Sequence, residues 1–131
     1  MSNLAKLLFA EAVKNKSMSI KDATAIAWVV KNREKRGGRF GKSEDAVIFA
    51  PHQFTGVGSN EWRKADTGDL TKQEREIYGK FQQVAALVQA GKIPDPTNGA
   101  DHYFNPALAQ PSWAKNMKQT YDSGAHTFYK E

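Results

Sequence analysis

Near the start of the chain, apolar residues fall at Leu4, Leu7, Leu8 and Ala12, the three-and-four spacing of a helix that buries one stripe. Glu11 stands on that stripe, seven residues after Leu4, where a polar side chain breaks the pattern. A second helix is predicted from Ile20 to about Lys35, with Ser19 as N-cap and Asp22 as its acidic capping partner. Ala23, Ile26, Ala27 and Val30 form its stripe, Trp28 and Val29 widen it, and Gly37-Gly38 stops it. A helix apolar around so much of its girth reads as the central one, against which others pack.

Between Arg39 and Leu70 the periodicity fades, so most of this stretch is expected to be loop around the short apolar run Ala46-Val47-Ile48-Phe49-Ala50. Its centre, Pro51-His52-Gln53-Phe54-Thr55-Gly56, mixes polar groups with an aromatic and suits a cleft wall. A third helix starts at Thr71, where Glu74 completes a capping box. Ile77, Phe81, Val84, Ala85 and Val88 make its stripe, and Gly91 ends it. After the turn Asp95-Pro96-Thr97-Asn98-Gly99, the segments Ala100 to Phe104 and Ala125 to Tyr129 alternate like strands. In each, a histidine shares a face with the phenylalanine two places on: His102 with Phe104, His126 with Phe128. Pro111-Ser112-Trp113 is expected to open a short helix through Tyr121, broken by Gly124. The fold class expected is α+β, mostly helical, one domain over residues 1–131 with a small sheet formed late in the chain.

Composition narrows the chemistry. A chain of 131 residues has room for one core, and about two-thirds of its unfolded surface can be buried at this length. With no cysteine there is no disulfide framework, thiolate nucleophile or cysteine-ligated zinc. No apolar run approaches the roughly 20 residues that span a bilayer, so stable membrane insertion is not expected. The first residues show no secretory signal, which points to synthesis in a cytoplasm. Lysine and arginine exceed the acids by 19 to 14, a net charge of +5 that favours anionic partners. The cluster Lys31, Arg33, Lys35, Arg36 and Arg39 surrounds the end of the second helix, where cations suit the carbonyl pole. No nucleic-acid motif accompanies it, so nucleic acid is not expected as a partner.

Glu11 is the first candidate for catalysis: a carboxyl on an apolar helix face is desolvated, its pKa rises, and it becomes suited to general acid work. The alternative is a glutamate that reaches solvent or pairs with Lys14. The histidines His52, His102 and His126 lack any close metal-ligand spacing, so neither metal nor cofactor is expected. His52 reads as a satisfied, partly buried histidine; for His102 and His126 cleft lining and core packing stand open alike. Phe54, Tyr103, Trp113 and Tyr129 are core residues by default. Their mixture with Asn32, Gln53, Thr55 and the histidines also suits a polar cleft in which sugar faces stack on aromatics.

Six stretches together resemble the cell-wall hydrolase family of the SleB/CwlJ type, the spore cortex-lytic enzymes and their bacterial and phage relatives. They are Leu8-Phe9-Ala10-Glu11-Ala12, Ala25-Ile26-Ala27-Trp28-Val29-Val30-Lys31-Asn32-Arg33, Gln53-Phe54-Thr55, Asp95-Pro96-Thr97-Asn98-Gly99-Ala100-Asp101-His102-Tyr103, Pro111-Ser112-Trp113-Ala114 and Gly124-Ala125-His126-Thr127-Phe128-Tyr129. They span nearly the whole chain in the family's order. The resemblance implies a lysozyme-like, lytic-transglycosylase-like domain that cleaves the β-1,4 bond between N-acetylmuramic acid and N-acetylglucosamine of bacterial peptidoglycan, with Glu11 as catalyst. Asn32, Gln53, Phe54, Thr55, His102, Tyr103, Trp113 and His126 are the expected substrate-binding residues. The family commonly follows its Glu-Ala pair with Arg-Gly-Glu; here stand Val13-Lys14-Asn15, so the later glutamate is replaced by Asn15 and cannot be the acid. No second catalytic carboxylate is identifiable, and Asp101 is expected to face away from His102 in its strand. A muramidase-type hydrolase that uses water and a non-catalytic peptidoglycan-binding module are the alternatives. The expected setting is a monomeric phage endolysin of a Gram-negative host, made in the host cytoplasm and released to the wall through a separate membrane pore.

Overall fold

The computed structural model describes residues 2–16, 18–51 and 53–131. Five helices, α1 (Asn3–Lys14), α2 (Ile20–Arg36), α3 (Glu44–Ile48), α4 (Asn60–Thr67) and α5 (Lys72–Gln89), precede strands β1 (His102–Phe104), β2 (Lys118–Asp122) and β3 (Thr127–Lys130). The chain is thus mostly helical with a small sheet late in the sequence. His52 lies outside the described residues.

Two helices are central: α2, as its apolar girth suggests, packs against α1, α3, α5 and β1, and equally buried is α1. Leu4, Leu7, Leu8 and Phe9 are fully buried, and α2, α3, α4 and α5 all pack against it. Each such large side chain stabilises the fold by roughly 1.5–3 kcal/mol. Two polar residues disguise this in the sequence. Lys6 buries its stem and sends its amine over the Trp62 ring to Asp66 at the surface, while Glu11 is 5% exposed and stays inside. The predicted capping boxes form: Ser19 with Asp22 starts α2, and Thr71 with Glu74 starts α5. Gly37 ends α2 at a φ of 62°, which an L side chain rarely adopts. In α5 the buried stripe includes Tyr78, edge-on to Phe9 at 5.6 Å, while Ile77 is turned outward.

The stretch from Arg39 to Leu70 is more ordered than its weak periodicity implies. A 3-10 turn at Gly38–Phe40 leads to α3 and then α4, whose N-caps are the hydroxyls of Ser43 and Ser59. These helices have five and eight residues and bury only two side chains each, too few turns to show a period. A second correction concerns residues 112–121. Only Ser112–Asn116 is helical, as a 3-10 turn, and Lys118–Asp122 forms β2, whose largely exposed residues lack a strand's alternating pattern.

The sheet order is β1-β3-β2, antiparallel throughout, with Tyr103 opposite Phe128 and His102 opposite Tyr129. Tyr103, Tyr121 and Phe128 make the inner face, on the helical core. His102, Phe104, Trp113 and Tyr129 cluster on the outer face. The two histidine segments therefore do not play equivalent parts. His126 packs at 5.4 Å against Tyr103 on the inner side, whereas the ring of His102 meets Phe40 and Trp113.

Candidate active site

A cleft of about 330 Å³ opens where the last turn of α1 meets the turn at residues 53–56, β1 and the loop after it. Glu11, Lys14 and Asn15 come from α1 and its cap; Gln53, Phe54 and Thr55 form one wall; Arg33 lies at the back. Tyr103, Phe104, Asn105, Leu108 and Ala109 form the other wall, and His126 completes it.

Glu11 is the one carboxyl among the described residues that line this cleft. Burial raises its pKa above the ordinary 4.5, with the Lys14 ammonium and the Gly56 backbone N–H pulling the other way. Lys14 does not clasp the carboxyl: its Nζ donates to Thr55 Oγ1 at 2.6 Å and ties α1 to the facing wall. The turn rests directly on α1 because residue 56 is glycine. A Cβ there would stand 3.0 Å from Ala10 Cβ and 3.4 Å from Glu11 Oε1. Tyr103 presents a phenol that burial, reinforced by the nearby Glu11 charge, holds neutral well above its usual pKa.

Asn15 stands where the family's second glutamate is common. It is 5% exposed, its Nδ2 donates to Glu11 O at 3.2 Å, and its Oδ1 accepts from Asn105 Nδ2 at 2.6 Å. Asn105 in turn accepts from Ala107 N through its side chain and from Leu108 N and Ala109 N through its carbonyl. One amide pair therefore ties the loop that bears Leu108 and Ala109 to the cap of α1. Arg33 donates from Nε to Asp101 O at 2.7 Å and from Nη1 to Gln53 Oε1 at 3.2 Å, with its plane 5.0 Å from Phe54. It thereby fixes β1 and the 53–56 wall to α2.

Of the residues singled out from sequence, Gln53, Phe54, Thr55, Tyr103 and His126 line the cleft with Glu11. Three lie elsewhere. Asn32 is buried and donates to Asp95 Oδ2 and Ala100 O, binding the Asp95–Gly99 turn to α2. Trp113 sits in the outer aromatic cluster, between Phe104 and Tyr129. His102 lines a smaller neighbouring pocket with Arg39, Phe40 and Gln53. Asp101, expected to face away from His102, turns back so that its Oδ1 lies 2.8 Å from His102 Nδ1. Arg33, Phe104, Asn105, Leu108, Ala109 and the close approach of Gly56 were not foreseen at the site, and Asn15 was noted only as a replaced glutamate; Asn105-Pro106 and the glycine after Gln53-Phe54-Thr55 were the available signals.

Asp101, His102 and Glu131 bring potential metal-ligating atoms within 4.8 Å of one another. Their carboxylates are engaged, however: Asp101 with Arg36 and the Glu131 N–H, Glu131 with Arg39. The trio acts as a clasp between the C-terminal residues and the end of α2, and it takes up two of the clustered arginines.

The sequence profile of the cell wall hydrolase family matches residues 18–129. The match begins after Glu11 and assigns no role to that residue. The catalytic domain of the germination-specific lytic transglycosylase SleB from Bacillus anthracis superposes with a TM-score of 0.64 and 26% identity, covering 99% of this chain and 97% of that one. The SleB catalytic domain of Bacillus cereus gives a TM-score of 0.64 and 30% identity, covering 98% and 91%. The spore cortex-lytic enzyme of Bacillus cereus is 31% identical over 106 residues, 81% of this chain and 36% of that protein. The chain thus spans about a third of its curated relative, corresponding in the solved structures to the catalytic domain. A profile match over most of the length and a shared fold make this chain a member of the cell wall hydrolase family.

Proposed function

We propose that this chain is a peptidoglycan lytic transglycosylase that cleaves between N-acetylmuramic acid and N-acetylglucosamine, with Glu11 as acid and then base. The observation that carries this reading is the single buried carboxyl in the cleft. Ordinary glycosidases need two, one as acid and one as nucleophile or as base for water. A single carboxyl suffices when the nucleophile belongs to the substrate, and the SleB catalytic domain of Bacillus anthracis supplies a precedent for a lytic transglycosylase on this fold.

Protonated Glu11 donates its proton to the glycosidic oxygen as the bond from that oxygen to the muramic C1 breaks, and the sugar takes on oxocarbenium character. The Glu11 carboxylate then removes the proton of the muramic C6 hydroxyl, whose oxygen bonds to C1. The product is a 1,6-anhydro ring, the catalyst regains its proton and no water is consumed. Burial raises the Glu11 pKa and so favours the protonated form that the first step requires. Attack within one molecule makes positioning the main contribution of the protein. Gln53, Thr55, Tyr103 and His126 supply polar groups, and Phe54 an apolar one, around the ring.

Glu11→Gln keeps the shape and removes the proton, so release of fragments from purified peptidoglycan should fall to background; near-wild-type release would refute the assignment. The setting we propose is host lysis by a bacteriophage, supported by the basic surface of a +5 chain, which suits an anionic wall. Chloroform-permeabilised Gram-negative cells should lose turbidity when the protein is added, and binding without clearing would instead mark a non-catalytic wall-binding module.

A further inference from the structure

The last cleft residue, His126, is 1% exposed and has a buried Nδ1 without a hydrogen-bond partner. That nitrogen faces the Oδ1 of Asp22, 3.6 Å away on the first turn of α2. Asp22 is itself 1% exposed. Its Oδ2 accepts from the backbone N–H and hydroxyl of Ser19, both at 3.1 Å, and its Oδ1 from the hydroxyl of Ser123. Ser123 N donates to His126 O at 3.0 Å, so the same serine fixes the turn that carries the histidine. The capping box of α2 therefore does more than start a helix: it places a buried carboxylate directly behind a cleft side chain.

We infer that Asp22 is a positioning residue that holds His126 with its proton on Nδ1, so that Nε2 offers a lone pair to a hydroxyl or amide N–H of the glycan. The inference rests on the cleavage reaction proposed for the cleft. A carboxylate repels a lone pair and attracts an N–H, and the bond made by one imidazole nitrogen decides which nitrogen keeps the proton. Active-site hydrogen bonds are often long before substrate arrives and tighten in the complex, which suits the 3.6 Å separation. Burial, the largest influence, lowers the pKa of His126; Asp22 opposes it and Lys14 adds to it, so the ring stays neutral at pH 7 and can accept. Tyr103 lies edge-on to the ring at 5.4 Å, and its phenol is neutral.

Long-range proton–nitrogen correlation on the isotopically labelled chain reads the tautomer directly. In the wild type His126 should show the Nδ1–H form. In Asp22→Asn the new amide can still cap α2 through its oxygen, and its NH2 donates to Nδ1. The proton should then move to Nε2, and kcat/KM on purified peptidoglycan should fall roughly tenfold to a hundredfold, the effect of one misdirected buried hydrogen bond. In a His126→Gln background, whose amide oxygen stands near the place of Nε2 and has no tautomer to lose, the Asp22→Asn effect should vanish. A wild-type ring protonated on Nε2 or on both nitrogens overturns the inference. So does an equal Asp22→Asn loss in both backgrounds, which would mean that Asp22 only caps its helix. Wild-type protein with the Nδ1–H signal that leaves peptidoglycan intact would sink the cleavage reaction and leave the tautomer assignment standing.

Discussion

Gly56→Ala tests whether the cleft depends on the 53–56 turn lying against α1. The added Cβ would stand 3.0 Å from Ala10 Cβ, at least about 0.5 Å inside an ordinary carbon–carbon contact. Ala10 is 3% exposed on a helix packed from every side, so it cannot recede and the turn must lift. Lifting it disturbs Gly56 O, which accepts from Ser59 N and Ser59 Oγ at the cap of α4. Such overpacking costs about 1–3 kcal/mol, and at this chain length each kcal/mol lowers Tm by about 3–5 °C. The Gly56 N–H moves off Glu11 at the same time. Because that N–H helps hold the Glu11 pKa down, the acid should stay protonated to higher pH. Displacing a cleft wall by several tenths of an ångström reduces kcat/KM, by up to about a hundredfold. Thermal melting and a pH profile of fragment release measure all three effects. An unchanged Tm together with an unchanged profile would refute the close packing of turn and helix.

Glu11→Gln should raise Tm at neutral pH. Burial lifts the folded pKa above 4.5, so the native state retains a proton that the unfolded chain releases, and stability falls as pH rises from about 4.5 through the folded value. The variant's advantage should shrink as pH drops toward 4.5 and below; a lower Tm than wild type at pH 7 would contradict the buried acid. Lys14→Met removes the ammonium that lowers the Glu11 pKa, so the alkaline limb of kcat/KM should move to higher pH, and a move to lower pH would count against this electrostatic picture. Asn15→Ala leaves Asn105 Nδ2 without its acceptor and should cost about 1–3 kcal/mol in urea denaturation. Its KM should rise more than its kcat falls, because the freed loop carries Leu108 and Ala109 of the cleft wall.

The helices with long periodic stripes and capping boxes were legible in the chain itself: Ser19-x-x-Asp22 and Thr71-x-x-Glu74 state where α2 and α5 begin. The role of α1 was half legible. Its stripe was plain and marked Glu11 as a candidate for desolvation, but nothing in it showed that Lys6 is buried too, by snorkelling to Asp66, or that Glu11 lies against Gly56. Short elements such as α3, α4 and β2 gave no signal because they bury too few side chains. At the site, Glu11 could be singled out from one violated pattern, whereas Asn15 with Asn105, and Asp22 with His126, are 90 and 104 residues apart in sequence and meet only through the fold. Trp113 and Asn32 show the reverse: their residue types suited a cleft, and packing assigned them to the outer aromatic cluster and to the Asp95 turn.

In the proposed reaction one carboxyl and the substrate's own hydroxyl complete the cleavage without water. Digesting purified peptidoglycan in water enriched in heavy oxygen and weighing the soluble fragments tests it most directly. The fragments should end in 1,6-anhydro-muramic acid with no heavy oxygen incorporated at the cleaved end. Reducing muramic ends that carry the heavy isotope would contradict the proposed reaction and show a hydrolase that recruits water with a second group.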